Sequence, residues 1–194
     1  MMNIINNKRL IRQKCRIIRD SFGEKHIDKR SELACKILGQ TPEFLNADII
    51  LIYYPTHNEI SPLPIFDVAQ KMGKKIALPV CNIENNTLSF HLINSLDEAI
   101  PSHFGIYEPP KANKEPILTE RSLALVPALA FSRDGHRLGY GKGFYDKFLV
   151  NFKGISAGFS YSELIFDKLP HESHDIPLKM LITESEVLYF VKEN

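Results

Sequence analysis

Gly135-His136-Arg137-Leu138-Gly139-Tyr140-Gly141-Lys142-Gly143-Phe144-Tyr145-Asp146 brings glycines, cations, aromatics and a carboxylate into one short run. Before it, Leu123 to Phe131 is an apolar stretch of the kind that makes a buried strand. After it, Phe144 to Phe152 carries its apolar residues at helical spacing. The glycines are therefore predicted in a strand-to-helix turn, where a backbone without side chains lets amide N–H groups approach an anion at the positive end of a helix. A strand, a glycine turn and a helix in that order are the repeating unit of an α/β fold.

The spacing fits neither of the common nucleotide loops. A Walker A loop needs Ser or Thr directly after its Lys, and Gly143 follows Lys142. A dinucleotide fingerprint has Gly-x-Gly-x-x-Gly after the first strand, whereas Gly139-x-Gly141-x-Gly143 comes late in the chain. A plain solvated connection would carry Ser, Asn or Asp between its glycines rather than Arg, Tyr, Lys and Phe. The run reads as a phosphate-handling loop of another kind.

Outward from the loop, helices and strands alternate. Ile11, Cys15, Ile18 and Phe22 mark an amphipathic first helix, and a second is predicted from Asp28 to Leu38, stopped by Gly39. Strands are predicted at Asp48–Tyr54, Lys75–Val80, Thr87–Ile93, Ile155–Tyr161, Met180–Thr183 and Val187–Val191. Ser61-Pro62 opens a helix running to Gly73. The stretch from Asn94 to Arg121 is broken by prolines and reads as a lid or a substrate-facing loop. The expectation is one α/β domain over 1–194, three-layer α/β/α, with a mostly parallel sheet.

With 24 basic and 23 acidic residues the net charge is +1, which excludes a general nucleic-acid binder and makes any cationic site local. Cys15, Cys35 and Cys81 suit neither a zinc spacing nor a disulfide framework, and read as core thiols in a reducing compartment. No apolar run reaches the roughly 18 residues of a membrane span, so a soluble cytoplasmic protein is expected.

Ligands of open α/β sheets gather beyond the carboxyl ends of strands, which places the residues after Tyr54 and after Val126 in one crevice. Tyr53-Tyr54-Pro55-Thr56-His57-Asn58-Glu59 offers an aromatic wall and a carboxylate there. Glu59 reads either as an acceptor for the amino and ring N–H of a heterocycle or as an acid at a helix start. Lys8 and Arg12, one helical turn apart, form either a phosphate clamp or a solvated face. Asp146 is either a first-turn dipole partner or a magnesium ligand, with Asp175 offering a second oxygen; His171 and His174 read as surface residues rather than zinc ligands.

Read together, Arg137 to Asp146, the preceding Val126 to Phe131, Lys8-x-x-x-Arg12, Gly105 to Pro109, Asn58-Glu59 and Asp175-Ile176-Pro177 resemble the 5-formyltetrahydrofolate cyclo-ligase family over nearly the whole chain. The resemblance implies an ATP- and Mg²⁺-dependent ring closure of 5-formyltetrahydrofolate to 5,10-methenyltetrahydrofolate. ATP would be bound by Lys8, Arg9, Arg12 and Arg137, Leu138, Gly139, Tyr140, Gly141, Lys142, Gly143, Phe144 and Tyr145. Lys142 and Arg137 would act on the transferring phosphoryl group, Asp146 and Asp175 would hold magnesium, and Tyr54, Glu59 and Tyr140 to Phe144 would meet the folate. The implied partner is 5-formyltetrahydrofolate, polyglutamylated or not, with no nucleic acid or membrane and a monomeric or weakly dimeric state. Phe144 stands where the family often has Tyr, and Leu164 where a Gln is expected. Two competing readings are a non-catalytic binding domain of this fold and a sugar-phosphate isomerase or acyl-transferase-like enzyme.

Overall fold

A computed structural model describes residues 2–190. Its centre is a seven-stranded sheet in the order β12-β11-β9-β6-β1-β2-β3. The strands are β1 (Ile49–Leu51), β2 (Lys75–Asn82), β3 (Thr87–Ile93), β6 (Ser122–Val126), β9 (Ile155–Phe159), β11 (Met180–Ile182) and β12 (Val187–Tyr189). Neighbours from β2 through β1, β6 and β9 to β11 run parallel; only the edges, β3 on β2 and β12 on β11, are antiparallel. The mostly parallel sheet expected from the sequence is therefore present, with antiparallel strands at both rims. Val191, in the last predicted strand, lies outside the described residues.

Alternate side chains of the central strands point to opposite faces. Ile50, Leu123, Leu125 and Met180 join one core with Cys15 of α1 (Met2–Asp20), Leu38 of α2 (Glu24–Leu38), Phe44 of α3 (Pro42–Asn46) and Phe66 of α4 (Ile65–Lys71). Ile49, Leu51, Ala77 and Ala124 face the other way, toward Tyr145 and Phe148 of α5 (Phe144–Val150). The sheet thus has helices on both faces, four against one.

The expected single strand from Leu123 to Phe131 is two strands. Pro127 has no N–H to continue the ladder, and the chain leaves the sheet there. It enters a small second sheet, where β7 (Ala130–Ser132) pairs antiparallel with β8 (Arg137–Leu138) and parallel with β10 (Ile165–Phe166). Gly135, at φ +89°, makes the intervening turn. The glycine loop therefore springs from β8 rather than from a main-sheet strand.

Other element boundaries differ from expectation: β1 covers only Ile49–Leu51 of the predicted Asp48–Tyr54, and β9 ends at Phe159 rather than Tyr161. Helix α2 starts at Glu24, ahead of the predicted Asp28. The helix expected from Ser61 starts at Ile65: Pro62 to Pro64 form tight turns in which the Ile65 and Phe66 amides donate to Pro62 O and Leu63 O, and Ser61 Oγ accepts from the Leu63 amide. Short α3 was not expected, although Thr41 caps it by accepting from the Phe44 amide, with Pro42 in its first turn.

The last two strands of the middle region are β4 (Ile100–Pro101) and β5 (Tyr107–Glu108), an antiparallel pair. The small β7–β8 sheet packs closely on the main one because Gly158 of β9 has no side chain: a Cβ there would lie 2.6 Å from the Phe131 ring and 2.8 Å from Leu181. Gly158→Ala is expected to cost about 1–3 kcal/mol through overpacking, read as a fall of several degrees in Tm. An unchanged Tm would mean that Phe131 repacks freely.

Candidate active site

A cavity of about 930 Å³ opens at the carboxyl ends of β1 and β6, as expected for a sheet of this type. Three stretches of chain converge on it: the segment after β1 with Tyr53, Tyr54, Thr56, His57 and Glu59, the run from Arg137 to Lys147, and Glu172, His174 and Asp175. Lys8 and Arg12 of α1 close one side, and Pro79, Cys81 and Leu88 of the β2–β3 hairpin the other.

The glycine loop spans Gly139 to Gly143 and delivers the chain into α5, with Gly141 at φ +97° and Gly143 at φ +71°. Both angles lie where an L side chain is strained, so these two positions need glycine. Arg12 reaches over the loop: its Nε donates to Gly139 O at 2.8 Å, and a Cβ on Gly141 would stand 3.5 Å from its Nη2. Arg137 is almost wholly buried, donating from Nη1 to Ile176 O at 2.7 Å and from Nη2 to Asp146 Oδ1 at 2.5 Å. Burial pulls its pKa down while Asp146 and Asp175 pull it back up. Lys8 Nζ bonds Asp175 at 2.9 Å and Glu172 at 3.2 Å, and these partners outweigh desolvation to hold the ammonium above its ordinary range. Lys142 is exposed into the cavity and, among the described residues, has no hydrogen bond or ion pair.

Asp146 and Asp175 each commit one oxygen to the protein. Asp146 Oδ1 accepts from Arg137 and the Ile176 amide; Asp175 Oδ2 accepts from Lys8 and the Glu172 amide. Their other oxygens accept no hydrogen bond among the described residues, and both side chains line the cavity. Hard oxygen donors with an open lone pair, beside room for a polyphosphate, fit Mg²⁺. Asp175 sits below the usual carboxylate range: burial opposes this, but the Glu172 amide and Lys8 overcome it. A depressed folded-state pKa adds stability above the unfolded value of about 3.9 that is lost as pH falls further. In metal-free solution, Asp175→Asn should therefore flatten the acid limb of the Tm–pH curve below about pH 4. Parallel acid limbs in the two proteins would contradict this.

Glu59 is buried and held from three directions. Tyr140 Oη donates to its Oε1 at 2.7 Å, Arg19 Nη1 lies 3.6 Å from the same oxygen, and the Thr56 amide donates to Oε2 at 3.0 Å. It follows two residues in left-handed backbone, His57 at φ +48° and Asn58 at φ +55°, a conformation that costs non-glycine residues of order 1–3 kcal/mol each. This tight turn aims the carboxylate back at the glycine loop. Burial and the Glu59 charge together push the Tyr140 phenol well above its ordinary range, so it remains a donor.

The predicted lid region is latched rather than free. Tyr107 stacks on Tyr54 with centroids 4.6 Å apart, and Ile106 lines the cavity. Glu108, buried, accepts from the Cys81 amide at 2.9 Å and from Ser102 Oγ at 2.7 Å, tying β5 to β2. Burial, with the Glu108 charge, raises the Cys81 thiol to about 12, so this cysteine stays protonated at neutral pH.

Of the residues predicted to hold ATP, folate or metal, Lys8, Arg12, Tyr54, Glu59, Arg137 to Tyr145, Asp146 and Asp175 all line the one cavity. Arg9 does not. It is exposed, because the residue after Lys8 is turned by about 100° around the helix. His174 is exposed beside Glu172 and Asp175, and His171 stacks on His136 at 3.7 Å. Sequence reasoning missed Arg19, Thr56, Glu108 and Glu172. For Arg19 a signal existed: it lies four residues after the buried Cys15, on the inward stripe of α1.

Comparison with known proteins agrees with this geometry. Residues 4–184 match the family model described as the 5-formyltetrahydrofolate cyclo-ligase family. A protein of Escherichia coli (strain K12) named 5-formyltetrahydrofolate cyclo-ligase is 28% identical over 151 residues, covering 75% of this chain and 83% of that protein. The structure of 5,10-methenyltetrahydrofolate synthetase from Aquifex aeolicus superposes with a TM-score of 0.83 at 31% identity, covering 96% of this chain and 94% of the other. The synthetase structure from Mycoplasma pneumoniae, at 18% identity and a TM-score of 0.73 over 92% of this chain and 99% of the other, shares the fold. No described helix is long and apolar enough to cross a membrane. With a family match over nearly its whole length, and a cavity that gathers the residues carrying that family's pattern, the chain belongs to the 5-formyltetrahydrofolate cyclo-ligase family.

Proposed function

We propose that the chain, as one domain and in the cytoplasm, closes 5-formyltetrahydrofolate to 5,10-methenyltetrahydrofolate with ATP and Mg²⁺, releasing ADP and phosphate. The observation that carries this reading is that a cation-lined glycine loop and a buried carboxylate with an aromatic wall open into the same cavity. The loop suits a polyphosphate; Glu59 and Tyr54 suit a pterin with its amino edge at the carboxylate and its ring beside the phenol.

An N-formyl group is an amide and a poor electrophile. Transfer of the γ-phosphoryl group to the formyl oxygen, with ADP leaving, converts that oxygen into a good leaving group. N10 then attacks the formyl carbon, phosphate departs with the former formyl oxygen, and N10 loses its proton. Such a transfer needs positioning and charge neutralisation more than covalent chemistry by the protein. Lys142 meets the transferring phosphoryl oxygens, Arg12 and the loop amides hold the polyphosphate, and Arg137 keeps Asp146 in place. Asp146 and Asp175 would hold Mg²⁺, which would neutralise charge on the phosphate oxygens.

The test follows methenyl product by its ultraviolet absorbance with 5-formyltetrahydrofolate, ATP and magnesium. With substrate labelled by ¹⁸O in the formyl group, the label should appear in the released phosphate. No product from protein shown to bind both ligands would leave the non-catalytic binding reading; product with unlabelled phosphate would retain the activity and discard phosphorylation of the formyl oxygen.

A further inference from the structure

Arg19 is 2% exposed, yet it is charged and sits in the last turn of α1, whose other inward positions Ile11, Cys15 and Ile18 are apolar. Its Nη1 donates to Tyr140 Oη at 2.9 Å and stands 3.6 Å from Glu59 Oε1, and its Nη2 donates to Ala128 O, where the chain passes from β6 to β7. Its Nε is buried without a partner. An aliphatic side chain would dock α1 on the core without desolvating a cation or orphaning a donor. What an aliphatic residue would not do is put positive charge behind Glu59. Among the described residues Arg19 is the one cation within salt-bridge distance of that carboxylate.

We propose that Arg19 is a positioning residue for substrate recognition: its guanidinium fixes the Glu59 carboxylate and the Tyr140 phenol in the arrangement that meets the heterocycle's amino edge. This rests on the function proposed above. Arg19 itself does not line the cavity, while both of its side-chain partners do. One Nη1 serves the two partners, so Tyr140 accepts from Arg19 and donates to Glu59 in a relay with a fixed direction. Glu59 then keeps its role as an acceptor, and Tyr140 remains oriented when a ligand draws on the Glu59 lone pairs.

The experiment is a double-mutant cycle on the full chain, reading Kd for 5-formyltetrahydrofolate and KM for each substrate. Arg19→Met should weaken binding of the folate by about 10- to 50-fold, the effect of losing a charge-assisted contact, and change KM for ATP by less than about threefold. In a Glu59→Gln background the same substitution should cost less than about threefold, because the carboxylate it serves is gone. Equal penalties in both backgrounds, or unchanged folate affinity, would reduce Arg19 to a structural staple of α1. Should Arg19→Met fail to fold, Arg19→Lys against Arg19→Gln decides: retained charge should hold folate affinity within about fivefold while Gln loses about tenfold or more, and equal affinities overturn the proposal. Failure of the wild-type protein to bind 5-formyltetrahydrofolate would sink the functional reading, an outcome distinct from a wild type that binds and an Arg19 variant that binds equally well.

Discussion

Lys142→Ala is expected to lower kcat by about two to three orders of magnitude while leaving KM for 5-formyltetrahydrofolate within about threefold. Removal of a single charge-stabilising donor from a site where charge develops typically has that effect. The side chain is flanked by two glycines in left-handed conformation, projects into the cavity and touches no partner among the described residues. Its loss therefore leaves the folded protein almost untouched, and Tm should stay within the range of a neutral surface substitution. Steady-state kinetics together with a thermal melt checks both halves. A folate affinity that falls while kcat holds would move Lys142 from the phosphoryl group to the folate.

Glu59→Gln should act on two properties at once. Folate recognition through a carboxylate accepting two N–H donors loses about 3–4 kcal/mol when an amide replaces it, since one of the two new contacts is donor against donor. That is roughly two to three orders of magnitude in Kd, readable by titration calorimetry with 5-formyltetrahydrofolate. Stability falls as well, because the Arg19 and Glu59 side chains are only 3% and 4% exposed and the substitution leaves a buried guanidinium without its counter-charge. Breaking such a pair costs about 3–5 kcal/mol. The Gln oxygen still accepts from Tyr140, which favours the lower end and a Tm fall of roughly 6–12 °C for a chain of this size. A variant with lowered Tm but unchanged folate affinity would confine Glu59 to a structural role.

The parallel sheet and the location of the site were readable because each rested on local patterns. Apolar strand runs, the glycine loop and the rule that ligands collect at strand carboxyl ends are statements about short stretches and neighbours. Pro127 was equally local, and it could have divided the run from Leu123 to Phe131 before the structure did. What stayed hidden was pairing across the chain. That Arg19 meets Glu59 and Tyr140, that Glu108 holds Cys81, and that Lys8 meets Glu172 as well as Asp175 depends on how α1 and the middle hairpin dock. The sequence pattern puts Arg19 on a polar face of the first helix, and the structure buries it on the inward side. Arg9, which the family resemblance grouped with the ATP ligands, is exposed and outside the cavity lining, because helix geometry turns it away from Lys8.

The contacts that tie α1 to the glycine loop and to the segment around Asp175 also set an order in time. Lys8 meets Asp175 across 167 residues, Arg12 meets Gly139 across 127 and Arg19 meets Tyr140 across 121. At a synthesis rate of roughly 5–20 residues per second, the first helix waits on the order of ten seconds or more for the last of these partners to be made. During that interval Arg19 has Glu59 within reach, but Lys8 and Arg12 lack the partners they meet in the folded chain. The nascent chain thus passes most of its synthesis with the first side of the cavity made and its facing loop still to come.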